Sequence, residues 1–213
     1  MLLLKTILFQ GESITDCGRG EGLGTGYALL TTAELGRECP GQYQFINRGI
    51  SGNRITDVYA RIKKDIINLK PDYMSLLIGV NDVWHEFSRH DAVDADKIDK
   101  IYSMLIEEVK AALPDIKIMI LAPFCLRASA TDNTEECPNK WEGFRAGVEE
   151  RARRAKAVAE KYNLPFITLQ DKFDAAAETA ENTYWLYDGV HPTAMGHQII
   201  KNEWIKGFRE LSK

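Results

Sequence analysis

Five short runs of this chain are apolar almost without interruption: Leu4–Phe9, Tyr43–Ile46, Tyr73–Ile78, Ile116–Leu121 and Phe166–Leu169. A strand with one face in water alternates apolar and polar residues. A strand covered on both faces does not, and such strands belong to parallel sheets. Longer helical patterns fill the gaps, at about Tyr27–Leu35, Ile55–Ile67, Ala95–Leu113 and Lys140–Tyr162, with a last helix from about Thr193 to Leu211. Pro192 beside Thr193 suits the start of that helix. Pro71, Pro114 and Pro165 each stand just before a strand, where proline ends a helix without removing a donor from the sheet. The order βαβαβαβαβα predicts an open, three-layer α/β domain on a five-stranded parallel sheet. Two irregular stretches, Trp84–Val93 and Phe124–Asn139, follow the third and fourth strands and are expected to line a ligand crevice at the sheet's C-terminal edge.

Composition narrows the function classes. With 213 residues the chain suits one domain spanning 1–213, with a substantial core. Its formal net charge of −4 lacks the basic footprint of a nucleic-acid binder. The densest basic stretch, Arg151–Lys156, follows two glutamates in a helical pattern and reads as a solvated face. No segment approaches the roughly 20 apolar residues that span a membrane. Lys5 interrupts Met1-Leu2-Leu3-Leu4, so no signal-peptide apolar core is evident and a cytoplasmic protein is expected. The four cysteines, Cys17, Cys39, Cys125 and Cys137, form no C-x-x-C pair. Free thiols are the expectation, and a Cys125–Cys137 disulfide stays open.

Four blocks carry chemistry, and three of them directly follow strands. They are Gly11-Glu12-Ser13, the stretch Asn47–Arg54, Ile78-Gly79-Val80-Asn81-Asp82, and Asp188-Gly189-Val190-His191-Pro192 before the last helix. In a parallel sheet all of them converge on one edge. Acyl transfer needs a nucleophile, a base, an orienter for that base and donors for the oxyanion. Ser13 can attack, His191 can take its proton, and Asp188 can hold the imidazole. The Ser13 and Gly52 amides and the Asn81 side chain can supply the oxyanion donors. Each block alone is weak evidence, since a serine after a strand is most often a turn or helix cap. Together, in this order, they are specific.

The set resembles the SGNH hydrolases, the superfamily that includes the GDSL esterases and lipases. The resemblance runs from Gly11 to His197 through Ser13, Gly52, Asn81, Asp188 and His191, with Ser13-Ile14-Thr15-Asp16 and His191-Pro192-Thr193 as supporting context. It implies a flavodoxin-like α/β/α sandwich and a serine esterase that uses no cofactor and no metal. One departure stands out: the family's signature usually carries Asp where this chain has Glu12. The extra methylene changes reach and not charge, and contact of Glu12 with Ser13 or Arg54 would misalign the site.

The expected activity is hydrolysis of small acyl esters, acetyl first, through an acyl-enzyme on Ser13. O-acetylated carbohydrates are the preferred substrates, because Trp84 and Trp185 border the blocks and the family's intracellular members are often acetyl esterases. Trp84, His85 and Trp185 are the candidate pocket residues. A small-molecule ester is the only partner expected, with neither nucleic acid nor membrane. The alternative within the class is a lysophospholipase or thioesterase acting on longer chains. A non-catalytic flavodoxin-like binding module is the alternative from another class. A third, lower reading builds a metal site from Asp82, His85, Asp188 and His191, since Asp82-Val83-Trp84-His85 repeats the Asp-x-x-His spacing. His197 is expected to pack or cap, and Arg54 either to ion-pair locally or to meet an anionic substrate group.

Overall fold

The computed structural model describes residues 4–213; the first three residues of the apolar start, 1–3, lie outside them. Along the chain run β1 (Lys5–Gly11), α1 (Ser13–Asp16), α2 (Tyr27–Glu38), β2 (Tyr43–Asn47), α3 (Ile55–Ala60), α4 (Ile62–Asp65) and a 3₁₀ turn (Ile67–Leu69). β3 (Tyr73–Leu77), α5 (Asn81–Arg89), α6 (Ala95–Ala112), β4 (Lys117–Leu121) and α7 (Lys140–Lys161) follow. The chain continues with β5 (Phe166–Ile167), α8 (Gln170–Ala177), α9 (Asn182–Trp185) and α10 (Ala194–Leu211). All strand pairs are parallel, in the order β2-β1-β3-β4-β5. That is the flavodoxin-like order, and its switch point lies between β1 and β3, where such sheets bind ligands.

The apolar runs are continuous because alternate residues feed two cores. Ile7 and Phe9 of β1, Tyr73 and Leu77 of β3, and Met119 and Leu121 of β4 pack on one face with Tyr27, Trp204 and Phe208. Leu8, Met74, Leu76, Ile118 and Ile120 pack on the other with Ile55, Val58, Tyr102, Ile106 and Val158. Both faces are therefore dry, which is what parallel strands require. Among the described residues no helix is long and apolar enough to cross a membrane.

Three expectations change. The helix expected over Ile55–Ile67 is broken at Arg61, whose side chain turns back to the strand ends. It donates to Asn53 Oδ1 (2.8 Å), Arg48 O (2.8 Å) and Gln10 Oε1 (2.7 Å). The Trp84–Val93 stretch is largely helix: Trp84–Arg89 belong to α5, which begins at Asn81. Arg151, expected on a solvated face, instead reaches inward to the carbonyls of Val93 (2.8 Å) and Asp82 (3.2 Å) and steadies the ends of that segment. Arg153 and Arg154 do stay on the surface side, paired with Glu150. All four cysteines are free.

Candidate active site

β1 ends at Gly11, where no larger residue fits. A Cβ on Gly11 would sit 2.3 Å from the Leu77 carbonyl oxygen and 2.4 Å from Thr15 Oγ1. The chain then turns through Glu12 straight into α1, which presents Ser13 at its first position with its side chain only half-buried. The loop after β2 is tied to this turn. Ile50 donates to Gly11 O (3.1 Å), the Ser51 amide to Asp16 Oδ2 (3.0 Å), and Asn47 Nδ2 to Thr15 O (2.6 Å). Gly52 follows with φ +81, a left-handed conformation that favours glycine. Neither the Ser13 amide nor the Gly52 amide donates a hydrogen bond among the described residues.

The C-terminal block arrives on a tight turn closed by a Leu186–Pro192 bridge and by the Tyr187 amide on His191 O (3.0 Å). Asp188 Oδ1 accepts the amides of Val190 (2.9 Å) and His191 (2.8 Å), while Oδ2 lies 2.7 Å from His191 Nδ1. A carboxylate only accepts, so Nδ1 carries the proton and Nε2 is left as an acceptor. His191 Nε2 lies 2.9 Å from Ser13 Oγ. The serine hydroxyl therefore donates to a ring whose far side is anchored by an acid, which is the geometry of an activated nucleophile. Burial alone would raise the Asp188 pKa. The hydrogen bonds from the His191 ring and the two amides outweigh it and hold the carboxyl below its ordinary value.

Asn81 opens α5 at the end of β3 and is buried. Its Nδ2 donates to Glu12 Oε2 (2.9 Å) and to Asn53 O (3.2 Å). Glu12 therefore reaches neither Ser13 nor Arg54; it points into the protein. Burial, with Asp82 nearby, pushes its carboxyl well above the usual range. Arg54 pairs locally with Asp57 (3.0 Å) and Asp91 (3.6 Å).

Ser13 and His191 line a cleft of two lobes. One, of about 220 Å³, is bounded by Ile14, Cys17, Tyr187, Pro192 and His197. The other, of about 270 Å³, is bounded by Ser51, Gly52, Asn81, Trp84, His85 and Arg89. Trp84 and His85 thus line the cleft beside Ser13 and His191. Trp185 does not: it lines neither lobe, because α9 turns its ring onto Tyr184 and the core. Tyr187, two residues on, takes its place. The His191 imidazole is nearly parallel to the Tyr187 ring at 5.6 Å and is tilted against the Trp84 ring at 5.4 Å. No sequence pattern marks Tyr187 beyond its position beside Asp188.

The Phe124–Asn139 stretch does not line the cleft either. It supports the C-terminal turn from behind, with Leu126 N on Gly189 O (2.8 Å) and Ala130 N on Asp188 O (2.9 Å). The buried Thr131 hydroxyl fixes that coil by donating to Leu126 O (2.7 Å). The residues of the metal alternative are engaged separately. Asp82 accepts the Ile55 amide (3.1 Å) on the inner side, and Asp188 and His191 serve each other. Among the described residues no three His, Cys, Asp or Glu side chains converge in a way that could hold a metal ion.

The chain is similar to known proteins along most of its length. The acetylxylan esterase of Geobacillus stearothermophilus is 33% identical over 95% of this chain and 93% of its own length. Its crystal structure superposes with a TM-score of 0.81 at 32% identity, covering 98% of this chain and 94% of that one. Solved catalytic mutants of that esterase replace one serine and one histidine by alanine. The crystal structure of a GDSL-like lipase candidate from Parabacteroides merdae superposes with a TM-score of 0.87 at 34% identity, covering 96% and 97% of the two chains. Residues 9–199 match the model of the GDSL-like lipase/acylhydrolase family. Ser13, Gly52, Asn81, Asp188 and His191 all fall within that match, and the chain belongs to this family of carboxylic ester hydrolases.

Proposed function

We propose that this protein is a serine esterase that removes acetyl groups from O-acetylated carbohydrates, working as one domain with one site. The observation that carries the reading is the relay from Ser13 Oγ to His191 Nε2 (2.9 Å) and from His191 Nδ1 to Asp188 Oδ2 (2.7 Å) at the floor of an open cleft. His191 takes the Ser13 proton as Oγ attacks the acetyl carbonyl. The negative charge that forms on oxygen is met by the Ser13 and Gly52 amides and by Asn81. His191 then returns the proton to the departing sugar hydroxyl, leaving Ser13 acetylated. Water, activated by the same imidazole, regenerates the enzyme.

The size and chemistry of the cleft favour a short acyl group. The lobe that carries Gly52 and Asn81 holds about 270 Å³ and is lined by Ser51, His85, Ser88 and Arg89, which are poor company for an alkyl chain. A larger, more apolar cavity of about 530 Å³ lies beside Phe166 and Leu169 and includes none of the site residues. Exposed Tyr187 and half-buried Trp84 flank the reacting histidine and offer faces for a sugar ring. The acetylxylan esterase relative points to the same substrate class. The non-catalytic binding module is not favoured by the family assignment. Chain-length profiling on p-nitrophenyl esters tests the proposal: activity peaks at acetate and falls steeply by eight carbons. A maximum at eight carbons or more would favour the lysophospholipase or thioesterase alternative.

A further inference from the structure

Glu12 is the place where this chain departs from its family's signature, and the mechanism above leaves its buried carboxyl without a role. The side chain is 1% exposed and is aimed at the residue proposed to meet the oxyanion. Glu12 Oε2 accepts from Asn81 Nδ2 (2.9 Å) and, at longer range, from the Asn81 backbone amide (3.4 Å). We infer that Glu12 is a positioning residue, fixing the donor end of the Asn81 side-chain amide toward the nucleophile.

The need for such a residue follows from the chemistry of an amide. The terminal torsion of asparagine is broad and roughly two-fold, so the amide can present either its NH₂ or its carbonyl oxygen to the same place. A carbonyl oxygen facing the developing oxyanion would repel it. Two acceptors on this chain select the other orientation: the Glu12 carboxyl holds one Nδ2 proton and the Asn53 carbonyl, at 3.2 Å, holds the second more loosely. An oxyanion is a stronger acceptor than a neutral carbonyl, and it draws on the second proton as charge builds. The first bond keeps the nitrogen in place meanwhile. From the end of β1 the Glu12 side chain reaches Asn81 directly. Burial also pushes the carboxyl's pKa up, which opposes a full negative charge beside the oxyanion.

The inference rests on the proposed oxyanion role of Asn81, and one experiment separates the two. Aryl acetate turnover is measured for Glu12→Gln, Glu12→Leu, Asn81→Ala and the Glu12→Leu/Asn81→Ala double variant. Rates are normalised to Ser13 sites counted by fluorophosphonate titration, so that misfolded protein does not contribute. Loss of one oxyanion donor costs about 10²–10³ in kcat, and Glu12→Leu is expected to lose about tenfold of that with KM within about twofold. Glu12→Gln retains an acceptor and stays within about threefold of the parent. The double variant is no slower than Asn81→Ala alone, because Glu12 acts through that residue. Should Glu12→Leu yield no titratable sites, Glu12→Met, nearly isosteric and likewise without an acceptor oxygen, is expected to show the same loss. Full kcat in the Leu or Met variant, equal losses for Gln and Leu, or losses that multiply in the double variant would overturn the inference while leaving the esterase reading intact. Full kcat in Asn81→Ala would instead remove the oxyanion assignment, and the role of Glu12 with it.

Discussion

His191 and His197 stand six residues apart, line the same lobe of the cleft, and do opposite things. His191 sits on a turn, with a carboxylate on Nδ1 and a serine hydroxyl on Nε2. His197 sits in α10, 4% exposed, with its Nδ1 accepting the Tyr27 amide (3.1 Å) at the start of α2. That bond fixes its tautomer, so its Nε2–H faces Cys17 Sγ at 3.3 Å. Burial first, and the nearby His191 second, hold the His197 pKa down to about 4. One imidazole is paired with an acid and faces the serine hydroxyl. The other is kept neutral and spends its lone pair on capping a helix. The residue type is the same; the partner on Nδ1 decides the role.

Replacing that partner is the largest way to break the contrast. Asp188→Asn should lower kcat by on the order of 10³–10⁴, the scale seen when a serine triad loses the acid that fixes its tautomer. Folding should survive, since Asn keeps an acceptor for the Val190 and His191 amides. Steady-state kinetics against a circular-dichroism spectrum checks this, and a loss below about tenfold would mean that Asp188 only shapes the turn.

The smaller effect concerns His197 and appears in stability. Its folded pKa is depressed, so the unfolded chain binds the extra proton first, near the ordinary 6.5, while the folded chain resists until about 4. The stabilisation is therefore fully present above about pH 6.5 and is lost as pH falls toward 4. Over that span it amounts to about 3 kcal/mol. Denaturant unfolding at pH 7 and pH 4.5 should show wild type losing about 2–3 kcal/mol more than His197→Gln, which cannot titrate. Equal losses would mean that His197 protonates without cost in the fold. Turnover should fall far less in His197→Gln than in Asp188→Asn.

The sheet was legible because its strands are dry on both faces, so Ile7-Leu8-Phe9 and Ile118-Met119-Ile120 read as strands without help from context. Ser13, Gly52, Asn81, Asp188 and His191 were legible as a set, since strand-end loops of a parallel sheet must meet. What the sequence hid was settled by tertiary contacts. α5 opens on Asn81 and Asp82, whose side chains serve Glu12 and the Ile55 amide, so its first two positions read as a strand-end loop although Val83 and Trp84 follow. Arg61 breaks a regular helical pattern because its guanidinium has better partners at the strand ends than in water. Trp185 looked like a sugar platform by proximity to Asp188, but the short α9 directs it inward and leaves Tyr187 at the mouth. The Phe124–Asn139 coil carries no motif at all, and only its bonds to Asp188 and Gly189 reveal what it holds.

The proposed mechanism turns on acylation of Ser13, held 2.9 Å from His191. Peptide mass spectrometry after a fluorophosphonate stoichiometrically inhibits the enzyme tests it directly. A single adduct on Ser13, absent from Ser13→Ala and strongly slowed in His191→Ala, is the predicted result. Complete inhibition with the adduct on any other residue, or full esterase activity in Ser13→Ala, would contradict it.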